Sequence, residues 1–196
     1  MVARKVTLEV DEMEIGQSPP AVFELGTSSS GTERLLLDVP DQFGDLFGRI
    51  CKLLPPPYYV MYVLHTPRGE GDTGRYQSTE LSLEQLGAFL ERYERYLAGD
   101  ARHDIWTYSI TSRQTAVWDR HNRLYVERGP LGDVADSLVR QGFIEGKVQP
   151  IGNHYHHYRP EFDDDAAAIL AEFDWHRTPL RPEDEQRPPI PANPLQ

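Results

Sequence analysis

At 196 residues, with 39% hydrophobic and 10% aromatic content, the chain has the length and apolar content for one domain around a continuous core. Its formal net charge of −11 repels a phosphate backbone and no basic cluster interrupts it, so no nucleic-acid partner is expected. The single cysteine, Cys51, rules out an intrachain disulfide and a thiolate-rich zinc site, and no apolar run reaches signal-peptide or membrane-span length, so a cytoplasmic protein with no membrane partner is expected.

In chain order, residues 4–15 alternate, with Val6, Leu8 and Val10 on one face and Thr7 and Glu9 on the other, the period-two signature of a half-buried strand. Ser18, Pro19 and Pro20 supply turn chemistry for a hairpin into a second strand at 21–25, and "RLLLDV" at 34–39 predicts a third. Asp41 stands where a side chain caps a first helix. Phe43, Leu46, Phe47, Ile50, Cys51 and Leu54 recur there at helical spacing until Pro55, Pro56 and Pro57 end it. In that stripe Cys51 reads as a small core side chain, not a nucleophile. "YYVMYVLHT" at 58–66 is apolar on both faces and predicts a central strand covered on both sides. The loop holding Gly69, Gly71 and Gly74 lacks the lysine of a phosphate loop and carries Glu70 and Asp72, so it reads as a surface loop.

Ser82 and Gln85 form a capping box before Leu83, Leu86, Phe89, Leu90, Tyr93 and Leu97, the apolar stripe of a helix that Gly99 ends. "HDIWTYSIT" and "TAVWDRHNRLYVE" predict antiparallel strands, with a hairpin turn at Asp119 to Asn122. Pro130 opens a further helix with Leu131, Val134, Ala135, Leu138 and Val139 inward and Gly142 as its stop, and a returning strand starts at Phe143. Asp163 is placed to cap a short helix whose Ile169, Leu170 and Phe173 dock on the core. This order predicts an α+β fold: a mainly antiparallel sheet with helices packed on one face and a split βαβ, ferredoxin-like element over 58–151. The N-terminal strands within 4–38 either extend that sheet or cover it. Residues 1–177 form the domain, and 178–196, dense in proline and charge, form an extended tail.

The most chemically loaded stretch is "GNHYHHYRPEFDDD" at 152–165. If the strand from Phe143 continues past Gly152, alternation puts His154 and His156 on one face and Tyr155 and His157 on the other. Imidazoles at i and i+2 reach one ion at about 2.0–2.1 Å from each nitrogen, so His154 and His156, with His157 assisting, make half of a zinc or non-haem iron site. His65, His103, Glu161 and Asp163 are the candidates to complete it. The opposing reading is a wet sheet edge, with the acids of 163–165 answering only the positive end of a helix. A second pair, Asp119 and His121 in "WDRHN", has the carboxylate–imidazole relation of a general base, but reads more simply as a solvated turn. No serine or cysteine nucleophile accompanies it.

The residues support two functional expectations. The first is a non-catalytic soluble protein that binds a protein partner or small ligand, such as an acidic inhibitor or immunity-type protein for a basic partner. The alternative is a metal-dependent enzyme or sensor built on the histidine cluster. A third reading makes the proline-rich tail, with Pro191 and Pro194 in PxxP spacing, the segment a partner reads.

Overall fold

The computed structural model describes residues 4–10, 13–15, 18–28 and 30–184, so from residue 185 onward the expected tail lies outside the described residues. In chain order the elements are β1 (Val6–Val10), β2 (Met13–Ile15), β3 (Val22–Thr27), β4 (Glu33–Asp38), α1 (Leu46–Cys51), β5 (Tyr58–Leu64), β6 (Gly74–Gln77) and α2 (Leu83–Gly99). After these come β7 (His103–Ser109), β8 (Thr115–Trp118), β9 (Arg123–Glu127), α3 (Gly132–Arg140), β10 (Ile144–Glu145), β11 (His154–His156), α4 (Asp163–Leu170) and β12 (His176–Thr178). The fold is α+β, as its sequence implies.

The large sheet has nine strands in the order β10-β3-β4-β9-β8-β7-β5-β6-β12, all antiparallel except for β10 against β3. Because β6 and β7 are each antiparallel to β5 and flank it, β6-α2-β7 is a split βαβ unit around β5. The N-terminal strands divide between the two expected roles. β3 and β4 extend the large sheet, whereas β1 pairs with β2 and β11 in a separate three-stranded sheet. The alternating segment read as one strand with its partner beyond Pro20 therefore contains two strands, β1 and β2, that pair with each other.

Packing follows the pleat. Along β5, Tyr58, Val60, Tyr62 and Leu64 are fully buried, while Tyr59 and Met61 on the opposite side are only half-buried, so this strand is not sealed on both faces. The buried set joins Leu46, Phe47 and Ile50 of α1, Leu86, Phe89 and Tyr93 of α2, Val134 and Leu138 of α3 and Ala166 and Ile169 of α4 in one core cluster. Each large apolar side chain buried this way stabilises the fold by about 1.5–3 kcal/mol. Cys51 lies in this cluster, fully buried, and burial pushes its thiol up to about 12, so it is an inert core side chain. The capping box at Ser82 and Gln85 is complete in both directions.

Four local expectations need correction. Asp41 makes no capping hydrogen bond; it lies in a 3-10 turn and pairs with Arg4. Asp163 is the first residue of α4 rather than its cap, because Arg68 and Arg102 hold its carboxylate. Val139 and Leu83 face solvent, since α3 and α2 bury narrower stripes than their apolar residues suggest. Finally, the folded chain continues past residue 177. Thr178 pairs with Arg75 in β12 and β6, and Asp184 is buried against the Arg75 guanidinium at 3.6 Å. Among the described residues no helix is long and apolar enough to cross a membrane.

Candidate metal centre

The strand from Phe143 does not continue to the histidines: β10 ends at Glu145, and β11 is an independent strand laid against β1. Its register, Val6 opposite His156 and Leu8 opposite His154, places the two imidazoles on one face as alternation requires. The third imidazole arrives from the large sheet. His121 sits at the tip of the β8–β9 hairpin, and one nitrogen from each of His121, His154 and His156 lies within 4.8 Å of the others. Ring centroids are 5.2 Å apart for His121 and His154, and 4.9 Å for each of the other two pairs.

Several buried polar contacts brace the hairpin tip and hold it to β7 and to the start of β1. The Asp119 carboxylate, 2% exposed, accepts through Oδ1 from the backbone N–H groups of His121 (2.9 Å) and Arg123 (2.8 Å). Its other oxygen stands 3.5 Å from His121 Nδ1. Asp104 accepts the Arg120 backbone N–H at 2.7 Å and meets His65 Nε2 at 2.9 Å. Burial pushes the Asp104 carboxyl up, but the bond to His65 and the charges of His65 and Lys5 outweigh it and leave it below the usual range. Lys5, fully buried one residue before β1, donates to the Asp119 backbone carbonyl at 3.1 Å and lies over the Trp118 ring. It thereby ties the strand that carries His154 and His156 to the turn that carries His121. Burial brings its ammonium down to about 8, against the pull of Asp104, Asp119 and Asp100.

The acceptors fix the tautomers. His154 Nδ1 faces the Gly152 carbonyl at 2.9 Å, and a carbonyl only accepts, so Nδ1 carries a proton and Nε2 is the nitrogen left for a metal. His121 directs Nδ1 at a carboxylate in the same way, the relation that orients metal-ligating imidazoles. His156 Nδ1 meets the Tyr158 hydroxyl at 3.3 Å, while its Nε2 is buried with no hydrogen-bond partner. Burial, then the neighbouring His121, His154 and Arg120, pushes the His156 imidazolium down to about 3, so the ring is neutral at physiological pH. No protein-family model, curated protein or solved structure matches this chain. Its function therefore has to be read from the site's own chemistry.

Of the residues singled out from sequence as metal ligands, only His154 and His156 enter this group. His157 points elsewhere: its Nε2 lies 2.6 Å from Thr7 Oγ1, and its backbone joins Lys5 to Ala101. His65 is held by Asp104. His103 is fully buried beside Tyr62 and Tyr96, with neither ring nitrogen hydrogen-bonded, and burial followed by the charges of Lys5, Arg102 and His65 holds it neutral, well below its ordinary range. Glu161 is exposed in a 3-10 turn, and Asp163 serves Arg68 and Arg102. The third imidazole, His121, is visible in the sequence as half of the Asp119–His121 pair, but there it reads as a solvated turn.

Proposed function

We propose that this chain binds a divalent transition-metal ion, zinc by preference, through His121, His154 and His156, and that the ion keeps an open coordination position for water or substrate. The observation that carries the reading is the buried, unpartnered Nε2 of His156 within a group of three converging imidazoles. An orphaned buried acceptor costs about 1–3 kcal/mol, and a metal bond removes that penalty. A tetrahedral ion with bonds of about 2.0–2.1 Å needs nitrogens about 3.3–3.4 Å apart, so the imidazole nitrogens, within 4.8 Å of one another, would close up on it. Nitrogen donors disfavour calcium and magnesium, and among the described residues the group holds three histidines, a set that differs from the two-histidine, one-carboxylate set of non-haem iron.

Three neutral ligands leave the ion's full double charge to act on a bound water, lowering its pKa toward 7 and making hydroxide available at neutral pH. This supports an enzyme or sensor reading in which a metal-bound water is the reactive or exchangeable group. The acidic-inhibitor reading draws only on the net charge of −11. On α2 the exposed Glu91 and Glu94 alternate with the exposed Arg92 and Arg95.

The test is metal content by mass spectrometry on untagged protein purified without chelator, beside His121→Ala, His154→Ala and His156→Ala. About one ion per chain is expected in the parent, and none in the variants. A parent that carries no ion and takes up no added zinc at micromolar concentration, while folded by circular dichroism, overturns the proposal.

A further inference from the structure

A half-buried cation is costly unless it is paired, and among the described residues all the half-buried arginines but one are held. Arg4, Arg49 and Arg123 pair with carboxylates, Arg159 donates to backbone carbonyls, and Arg34 lies over the Tyr125 ring. Arg120 is the exception: its guanidinium has no carboxylate, carbonyl or ring partner among the described residues. Unpartnered arginines elsewhere, such as Arg95 and Arg140, stand in solvent.

Arg120 immediately precedes His121 at the tip of the β8–β9 hairpin, so its place is that of the candidate metal centre. The two carboxylates of that neighbourhood are engaged otherwise. Asp104 takes the Arg120 backbone N–H and His65, while Asp119 takes the His121 and Arg123 amides, the Tyr125 hydroxyl and His121 Nδ1. Neither reaches the guanidinium, whose charge is nevertheless close enough to the triad to help hold the His156 imidazolium down. An ion on three neutral imidazoles adds two positive charges beside this one, and such like charges repel unless an anion joins them. The net charge of −11 opposes an anion at long range, but exposed charges beyond about 8 Å are largely screened at physiological salt, whereas ion and guanidinium act in contact.

Given a metal ion on His121, His154 and His156, the reading on which this rests, we infer that its open coordination position takes an oxyanion, with Arg120 as the second anchor. A phosphoryl or carboxylate group places one oxygen on the ion and another on the guanidinium, whose planar fork of donors matches both. The imidazoles supply no negative charge, so the ligand supplies it. Arg120 is then the residue that favours an anion over a neutral carbonyl or a second water.

The test uses the full-length chain loaded with cobalt(II), whose visible absorption reports the ligands around the ion. Inorganic phosphate and sodium acetate are titrated separately into the loaded parent, Arg120→Gln and Arg120→Lys. Arg120 meets Asp104 only through its backbone N–H, so both substitutions leave that bond in place. In the parent a saturable change in the cobalt bands is expected with at least one of the two anions, and the tighter of them names the group. Arg120→Gln is expected to keep the cobalt and to bind that anion about 10–100-fold more weakly, the loss of a charge-assisted hydrogen bond, with Arg120→Lys between the two. Cobalt bands indifferent to both anions, or an anion affinity in Arg120→Gln equal to the parent's, overturn the inference and leave the metal reading standing. A folded parent that develops no cobalt bands overturns the metal reading and this inference with it.

Discussion

Asp119 separates orientation of a ligand from stability of the turn that bears it, because its two carboxylate oxygens do different work. Oδ1 satisfies two backbone amides of the hairpin tip, whereas Oδ2 accepts from the Tyr125 hydroxyl at 3.4 Å and faces His121 Nδ1 at 3.5 Å. Asp119→Asn keeps an acceptor for both amides and withdraws the negative charge from the imidazole. Loss of such an outer partner weakens metal binding about 10–100-fold, or about 1.4–2.7 kcal/mol, with little change in folding stability expected. Asp119→Ala removes both functions and strands two amides beneath a site that is 2% exposed. At about 1–3 kcal/mol for each unsatisfied donor, it is expected to destabilise the apo-protein by about 2–6 kcal/mol. Zinc affinity by competition against a chromophoric chelator, with urea unfolding of the apo forms, measures both quantities. An Asp119→Asn variant that binds zinc as tightly as the parent, or an Asp119→Ala variant with the parent's urea midpoint, would refute this division of labour.

Two further predictions concern the buried ionic frame. His103 and His156 stay neutral in the fold well below their ordinary value of 6.5, while an unfolded chain takes up protons on both below that pH. The apo-protein is therefore expected to lose stability as pH falls from about 6.5, and for His156 the loss continues down to about 3. His103→Leu, which removes two unpartnered nitrogens, should flatten this acid limb in urea midpoints measured between pH 7 and 4 and leave stability at pH 7 undiminished; an unchanged slope counts against the assignment. Arg102, fully buried, grips Asp100 with two nitrogens and also reaches Glu70, Asp163 and the Arg159 carbonyl. Arg102→Met leaves the buried Asp100 carboxylate with backbone donors but without its guanidinium partner, so a loss of about 3–5 kcal/mol is expected by urea denaturation, and a loss below about 1 kcal/mol would contradict the assigned geometry.

Local chemistry is legible in the sequence wherever one segment carries its own answer. The Ser82–Gln85 box, the α2 stripe from Leu86 to Leu97 and the β8–β9 hairpin depend on neighbours a few residues apart, and each forms as its spacing implies. The pairing of His154 with His156 is legible for the same reason, since alternation alone places them together. The third imidazole is not, because it depends on β11 choosing β1, about 150 residues away, and on Lys5 reaching the hairpin tip. No periodicity encodes a long-range register. The same holds for Asp163, whose place in front of a helix suggests a cap although Arg68 and Arg102 claim it. The open side of β5 is hidden by composition: Tyr59 and Met61 are apolar enough to suggest a sealed strand, yet their side of the sheet is only half-covered.

The two outermost strands of the large sheet have a consequence for how the protein behaves when concentrated. A wide sheet ordinarily invites lateral growth, because each outer strand offers a row of unpaired amides and carbonyls to another molecule. Here one edge is the two-residue β10, followed by Gly146 and Pro150, and the other is the three-residue β12, which carries Arg177 and is followed by Pro179. An incoming strand finds only two or three rungs before meeting a proline or a charge. Outer strands this short offer a partner molecule little to extend, which works against lateral growth of the nine-stranded sheet.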